Sequence, residues 1–109
     1  MLTNIQNIWP IASISERPEV TLRDWQVFEV QQLGRASKTR HFVGYCIEDQ
    51  CGQVSSAVVQ FDPKTMHGVT ESGRVYRLLG KPGWHSDADY VWKRWKRISS
   101  VTVEVDVTD

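Results

Sequence analysis

The chain has 109 residues, of which 40% are hydrophobic and 24% charged, and its 13 basic and 13 acidic residues leave no formal net charge. This composition is typical of one small globular domain with a single core, and it excludes a disordered or membrane-spanning chain. The N-terminus lacks the basic and continuous apolar regions of a signal peptide, so we expect a cytoplasmic protein that does not engage a membrane.

The first part of the chain shows no regular period. Pro10 and Pro18 interrupt a stretch in which apolar and polar residues are mixed. We therefore predict that residues 1–23 form an irregular N-terminal arm, pinned by Trp9. Residues 24–109 are predicted to supply the sheet and the helix of a single domain that spans residues 1–109.

From residue 25 onwards the hydrophobic pattern changes to the period of two that is typical of β-strands. It predicts five strands before the helix, at residues 25–33, 40–48, 53–61, 68–70 and 74–79. The second and third of these are joined by a very short turn, which indicates an antiparallel hairpin.

The strongest helical signal is the run SDADYVWKRWKRIS, residues 86–99. At about 100° per residue, its apolar side chains fall in one arc of roughly 120°. These side chains are Ala88, Val91, Trp92, Trp95 and Ile98. Ser86 is placed as the N-cap, with Asp89 as its partner in a capping box. The pattern predicts an amphipathic helix at about residues 87–98, with both tryptophans packed on a sheet.

A final strand is predicted at about residues 101–107, where four valines alternate strictly with polar residues. Its acidic residues would protect an open edge, although the valines could also pair with a second copy, so the chain is expected to be a monomer or a homodimer. The order of elements predicts an α+β fold, an antiparallel sheet of four to six strands with one helix packed on one face.

No pattern in the chain indicates catalysis, a cofactor or a metal. The histidines and cysteines lack CxxC, HxxxH and HExxH spacing, and neither GxSxG nor a phosphate-binding glycine loop occurs. We expect a non-enzymatic protein without catalytic, cofactor-binding or metal-binding residues. Cys46 and Cys51 are expected to be free thiols, because one falls in a strand and the other in the turn that follows, a poor geometry for a disulfide.

Charge is unevenly distributed along the chain. Residues 74–97 hold seven basic and two acidic residues, whereas residues 98–109 hold three acidic residues and no basic one. Four of the cations lie on the predicted exposed side of the helix, with Tyr90 among them: Lys93, Arg94, Lys96 and Arg97. Such a surface suits a nucleic-acid backbone, with Arg77 as an extension, but a solvated helix face whose cations complement the helix dipole has the same pattern.

Trp84, in the loop GKPGWHSD, is expected to be exposed. The reason is that one helix cannot reach all of Trp9, Trp25, Trp84 and Tyr45 in so small a domain. An exposed tryptophan close to arginine is typical of a protein-binding hot spot. A loop that tucks its own tryptophan against the sheet edge would have the same sequence.

Three runs together resemble small uncharacterised accessory proteins of proteobacterial genomes, phages and other mobile elements. They are TRHFVG from Thr39, TESGRVYRLLGKPG from Thr70, and DADYVW from Asp87 followed by Trp95. The resemblance covers about residues 25–97 and implies no particular activity, cofactor or catalytic residue. It implies a protein that works by binding, including the inhibition of host defence systems.

The sequence supports two functions. The first is a binding protein that acts through protein–protein contacts at the sheet edge, Trp84 and the basic helix face. The alternative is a nucleic-acid-binding protein that uses the basic face of the helix. The candidate binding residues are Arg77, Trp84, Tyr90, Lys93, Arg94, Lys96 and Arg97.

Overall fold

The computed structural model describes residues 16–108, which form seven strands and one helix. The elements are β1 (Glu19–Gln32), β2 (Thr39–Cys46), β3 (Cys51–Val54), β4 (Val58–Asp62), β5 (His67–Thr70), β6 (Val75–Leu78), α1 (Ser86–Ile98) and β7 (Val101–Asp106). The α+β class, with one helix and a mostly antiparallel sheet, is confirmed. The predicted strand number is wrong, because this part of the chain has seven strands instead of four to six.

The sheet is built around the long strand β1. β2 pairs with β1 in the antiparallel sense along most of its length. The other side of β1 is shared, because β6 pairs in parallel with residues 19–22 and β7 pairs antiparallel with residues 28–32. Between these pairings β1 bends at Asp24, whose φ is +49°, and its register with β2 shifts. The sheet therefore forks along β1.

Two strand boundaries differ from the sequence prediction. β1 begins at Glu19, so residues 19–23 belong to the sheet and not to the irregular arm, whose residues 1–15 lie outside the described part of the chain. The reason is the parallel pairing with β6, a non-local contact that a local pattern does not show. The predicted strand 53–61 is two strands, β3 and β4, because residues 55–57 turn the chain away from β2.

The sheet has a core on each of its two faces. On one face, valines of β1, β2 and β3 pack against α1, and the buried residues are Val30, Val43, Val54, Ala88, Val91, Trp92 and Trp95. The other face buries Val20, Leu22, Trp25, Phe42, Cys46, Tyr76 and Leu78. The sheet covers this second core itself, since it curves until the ring of Phe61 in β4 lies 5.9 Å from that of Phe42 in β2.

The predicted packing of the helix on the sheet is confirmed. Trp92 and Trp95 are only 2% and 3% exposed. Their rings stack with centroids 5.3 Å apart, and Phe28 of β1 stacks on Trp92 at 4.8 Å. Ile98, which the periodicity placed in the same arc, is instead half exposed at the C-terminal end of α1. The buried arc therefore ends at Trp95.

The N-terminus of α1 differs from the prediction in its cap. His85 is the N-cap, and its Nδ1 accepts a hydrogen bond of 3.1 Å from the backbone N–H of Asp87. Ser86 is the first helical residue. The imidazole is held for this role by stacking on Tyr45 with centroids 4.5 Å apart. Below it, α1 touches β3 so closely that a Cβ on Gly52 would lie 2.4 Å from the carbonyl oxygen of Asp87.

Cys46 and Cys51 are free thiols, as predicted, although the geometric reason given for this was wrong. β3 begins at Cys51, which places the two cysteines directly opposite each other in the antiparallel β2–β3 pair. Burial raises the pKa of the Cys46 thiol to about 12, so the reactive thiolate is strongly disfavoured there.

Replacement of either packed tryptophan should strongly destabilise the fold. Trp92→Ala and Trp95→Ala each remove a buried ring from the contact between helix and sheet, and we expect losses of about 3–5 kcal/mol in the free energy of unfolding. Trp84→Ala is the matched control, because Trp84 is 62% exposed. Urea unfolding followed by circular dichroism measures all three. Equal stabilities for the three variants would contradict the packing.

Protonation of His41 should destabilise the fold. His41 is buried, its Nδ1 donates to the carbonyl of Ser55 and its Nε2 accepts from the Thr39 hydroxyl, both at 2.8 Å. Burial holds the pKa of His41 below the ordinary imidazole value of about 6.5. Below that pH the unfolded chain therefore binds a proton more readily than the folded one. The free energy of unfolding should decrease as the pH is lowered from there, until the pH passes the pKa of His41 in the folded protein.

Urea unfolding at several pH values between neutrality and about pH 5 tests this expectation. In His41→Gln the stability should change less with pH over this range than in the unsubstituted protein. His67 and His85 remain in both proteins, so the difference isolates His41. Indistinguishable pH profiles would show that the buried imidazole does not contribute.

Candidate binding surface

A groove runs between the C-terminal half of α1 and the start of β7. Lys93, Lys96 and Arg97 line it on the helix side and residues 101–104 on the strand side, and its volume is about 390 Å³. It arises because α1 and β7 are joined by only two residues, of which Ser100 has a φ of +54°. The strand therefore turns back beside the helix. We call this feature the helix–β7 groove.

The four helix cations that the sequence placed on one basic face have different partners. Lys93 forms an ion pair of 3.0 Å with Asp89, and Lys96 pairs with Glu104 of β7. Arg94 lies over the ring of Tyr90 at 5.9 Å, with its Nε buried and without a hydrogen-bond partner among residues 16–108. Arg97 is exposed and ion-pairs with no described residue. The basic face is therefore divided and partly neutralised.

Glu104 is the central group of the groove, and sequence reasoning missed it. One carboxylate oxygen accepts a hydrogen bond of 3.1 Å from the indole N–H of Trp92, and the other accepts from the Lys96 ammonium. A buried indole N–H generally needs an acceptor, so the polar face of the final strand was a signal available in the sequence. The alternation of residues there gave two faces but did not say which one meets the helix.

Val103 and Val105 of β7 point away from the helix, since the side chain of Glu104 points towards it and neighbours in a strand alternate. Val101 instead packs against the helix-side core, because the β1–β7 register shifts beside it. Val103 and Val105 are 53% and 48% exposed. The outer edge of β7 pairs with no other strand in the described part of the chain. The edge thus offers backbone hydrogen-bonding groups beside an exposed apolar stripe.

Besides Arg94, which does not line this groove, three predicted site residues lie apart from it. Trp84 is exposed, as expected, but it precedes the N-terminus of α1, and a helix of 13 residues is about 20 Å long. Tyr90 lines a different cavity, of about 360 Å³, together with residues 50–52 on the β3 side of α1. Arg77 lies on β6 and donates a hydrogen bond of 3.5 Å to the hydroxyl of Thr21. The structure therefore groups only Lys93, Lys96 and Arg97.

Within residues 16–108, no three His, Cys, Asp or Glu side chains are arranged to hold a metal ion. The described helix is too short and too polar to cross a membrane. No protein-family model, curated protein or solved structure matches this chain. The surfaces of the chain itself are therefore the basis for a functional proposal.

The hydrogen bond from the Trp92 indole to Glu104 should contribute to stability independently of the ion pair between Lys96 and Glu104. Glu104→Ala leaves the indole N–H without its acceptor, and we expect a loss of about 1–3 kcal/mol in the free energy of unfolding. Glu104→Gln keeps a carbonyl oxygen for Trp92 but removes the ion pair with Lys96, so it should retain most of the stability. Urea unfolding compares the two variants. Equal losses would show that the ion pair, not the indole bond, carries the effect.

Proposed function

We propose that this chain is a small non-enzymatic binding protein that engages another protein along the open edge of β7 and the adjoining helix–β7 groove. The observation that supports this most directly is the half exposure of Val103 and Val105 on a strand whose outer edge pairs with no described strand. An extended segment of a partner can add to such an edge through main-chain hydrogen bonds, while side-chain contacts supply specificity.

The groove beside this edge favours an acidic partner segment. Three cations line it, and the two carboxylates that pair with them, Asp89 and Glu104, leave one positive charge in excess. Arg97 is the cation without an ion pair to a described residue, so its guanidinium is available for a bidentate contact with a carboxylate. Trp84 becomes a second contact only for a partner that extends along the whole length of α1.

Nucleic acid is the alternative partner. Exposed Lys93 and Arg97 support it, but the pairing of Lys93 and Lys96 with carboxylates weakens it, because those cations must first be released to meet phosphate. The expected cytoplasmic location and the role as an accessory or inhibitor protein of a phage or mobile element belong to the same proposal. They rest on the sequence alone.

The test combines site-specific crosslinking with quantitative binding. A photoreactive residue at position 103 should crosslink a partner in cells of the native host, whereas the same residue at position 69 should not. Val69 is the control because it is an exposed valine on β5, away from β7. The purified partner is then titrated against the unsubstituted protein, the double variant Val103→Glu and Val105→Glu, and Val69→Glu.

We expect the double variant to bind at least about tenfold more weakly and the control to bind normally. Equal crosslinking at both positions, or equal affinities of the two variants, would contradict the proposed surface. DNA and RNA oligomers titrated at two salt concentrations test the alternative, which requires affinity that falls steeply as salt rises. Such binding, lost in Arg97→Ala, would replace a protein partner with nucleic acid.

A further inference from the structure

The fork in the sheet opens a second, apolar pocket on the face opposite α1. β6 leaves β1 after residue 22, and β7 joins the same side of β1 only at residue 28. Between them lies a cavity of about 310 Å³, with Trp25 and Val27 of β1 on its floor. Leu78, Met66 and Phe61 line one side and Val107 the other. We call this cavity the fork pocket.

Hydrogen bonds hold both walls of the fork pocket, and two of them join backbone groups. On one side the N–H of Leu78 donates to the carbonyl of Met66 at 2.9 Å. On the other, the N–H of Val107 donates to the carbonyl of Val27 at 2.9 Å, and the N–H of Val27 donates to the hydroxyl of Thr108 at 3.0 Å. Each wall thus has at least one backbone–backbone hydrogen bond, so the strands that frame the pocket are fixed by the fold.

The fork pocket opens onto a polar cleft with excess positive charge. Arg40, Val58 and Phe61 line both cavities. The cleft adds Arg35 and Lys38, against the carboxylates of Glu29 and Glu71. Arg40 pairs with Glu29 at 3.3 Å and Arg35 with Glu71 at 3.1 Å. Lys38 is exposed and ion-pairs with no described residue, so one positive charge is left over beside an apolar cavity.

We propose that the fork pocket binds a free alkyl carboxylate, with its hydrocarbon chain in the pocket and its carboxylate at Lys38 and Arg40. Each methylene transferred from water into an apolar site is favourable, and concave apolar pockets with a few convergent polar groups are the usual form of small-molecule sites. The cavity of about 310 Å³ has room for one alkyl chain, and charged side chains line the cleft that adjoins it. We therefore propose a free monomer as the ligand, not a lipid held in a bilayer.

Calorimetric titration of the full-length protein with decanoate, decylammonium and decanol tests the proposal. Decanoate should bind, and decylammonium, with the same chain and the opposite charge, should bind at least about tenfold more weakly. Lys38→Glu should weaken the binding of decanoate by a similar factor and leave the affinity for decanol unchanged. Equal affinities for the three probes, or no binding of decanoate, would overturn the proposal.

A pair of valine substitutions locates the site. Val107→Phe adds a ring at the pocket wall and should abolish decanoate binding, whereas Val69→Phe, at an exposed valine that does not line the pocket, should leave decanoate binding normal. Urea unfolding must show both variants folded, and if Val107→Phe is not, Val107→Leu serves as a smaller filler. Decanoate binding that survives in the folded filler variant would contradict this pocket.

An experiment with lipid vesicles distinguishes a free alkyl carboxylate from an anionic lipid in a membrane. The full-length protein should not co-sediment with vesicles of anionic phosphatidylglycerol while it binds decanoate in solution. Co-sedimentation that Lys38→Glu abolishes, without binding of free decanoate, would overturn the proposed ligand in favour of a membrane surface.

Discussion

A continuous row of four aromatic rings between helix and sheet is the interaction on which the rest of the structure depends. Phe28 of β1 stacks on Trp92, Trp92 stacks on Trp95, and Trp95 makes a tilted contact with the imidazole of His41 in β2, with centroids 4.6 Å apart. The row therefore runs from one strand through the helix to the neighbouring strand. It sets the direction of α1 across the sheet, and through the indole N–H of Trp92 it also fixes Glu104 and thus β7.

The bend of β1 is the second constraint, and it determines where both candidate sites lie. A straight strand would keep one neighbour along each side, but the positive φ of Asp24 and the register shift beside it divide the outer side between β6 and β7. β7 thereby becomes an edge strand next to the helix and leaves a gap beside β6. The groove occupies one face of this arrangement and the fork pocket the other.

The local periodicity of the sequence was sufficient to predict the helix and most of the strands, but not to predict which strands pair with each other. The helix, its two buried tryptophans and most of the strands follow from patterns of 3.6 and 2 residues, because each reflects a single buried face. The parallel β1–β6 pair does not, since it joins segments more than 50 residues apart. The break at residues 55–57 also escaped prediction. There the hydroxyl of Ser55 accepts the N–H of Phe42, which replaces a strand contact by a side chain.

The sequence predicted a basic face on the helix from the number of its cations, whereas the structure shows that ion pairs neutralise part of that face. A count of cations on the helix cannot show that Lys93 and Lys96 are each matched by a carboxylate, one of which comes from a strand beyond the helix. Nor can it show that Arg94 is partly buried over Tyr90. Charge in a linear sequence gives the sign of a surface, whereas the groups free to meet a partner depend on the tertiary neighbours.

β7 separates the two candidate sites and is anchored at both ends. At its start the N–H of Leu33 donates to the carbonyl of Ser100 at 2.9 Å, and just beyond its end Val107 is bonded to Val27. Its polar face meets the helix–β7 groove, while Val107 follows the valine alternation onto the side of the fork pocket. A strand held in this way cannot shift its register without breaking both anchors.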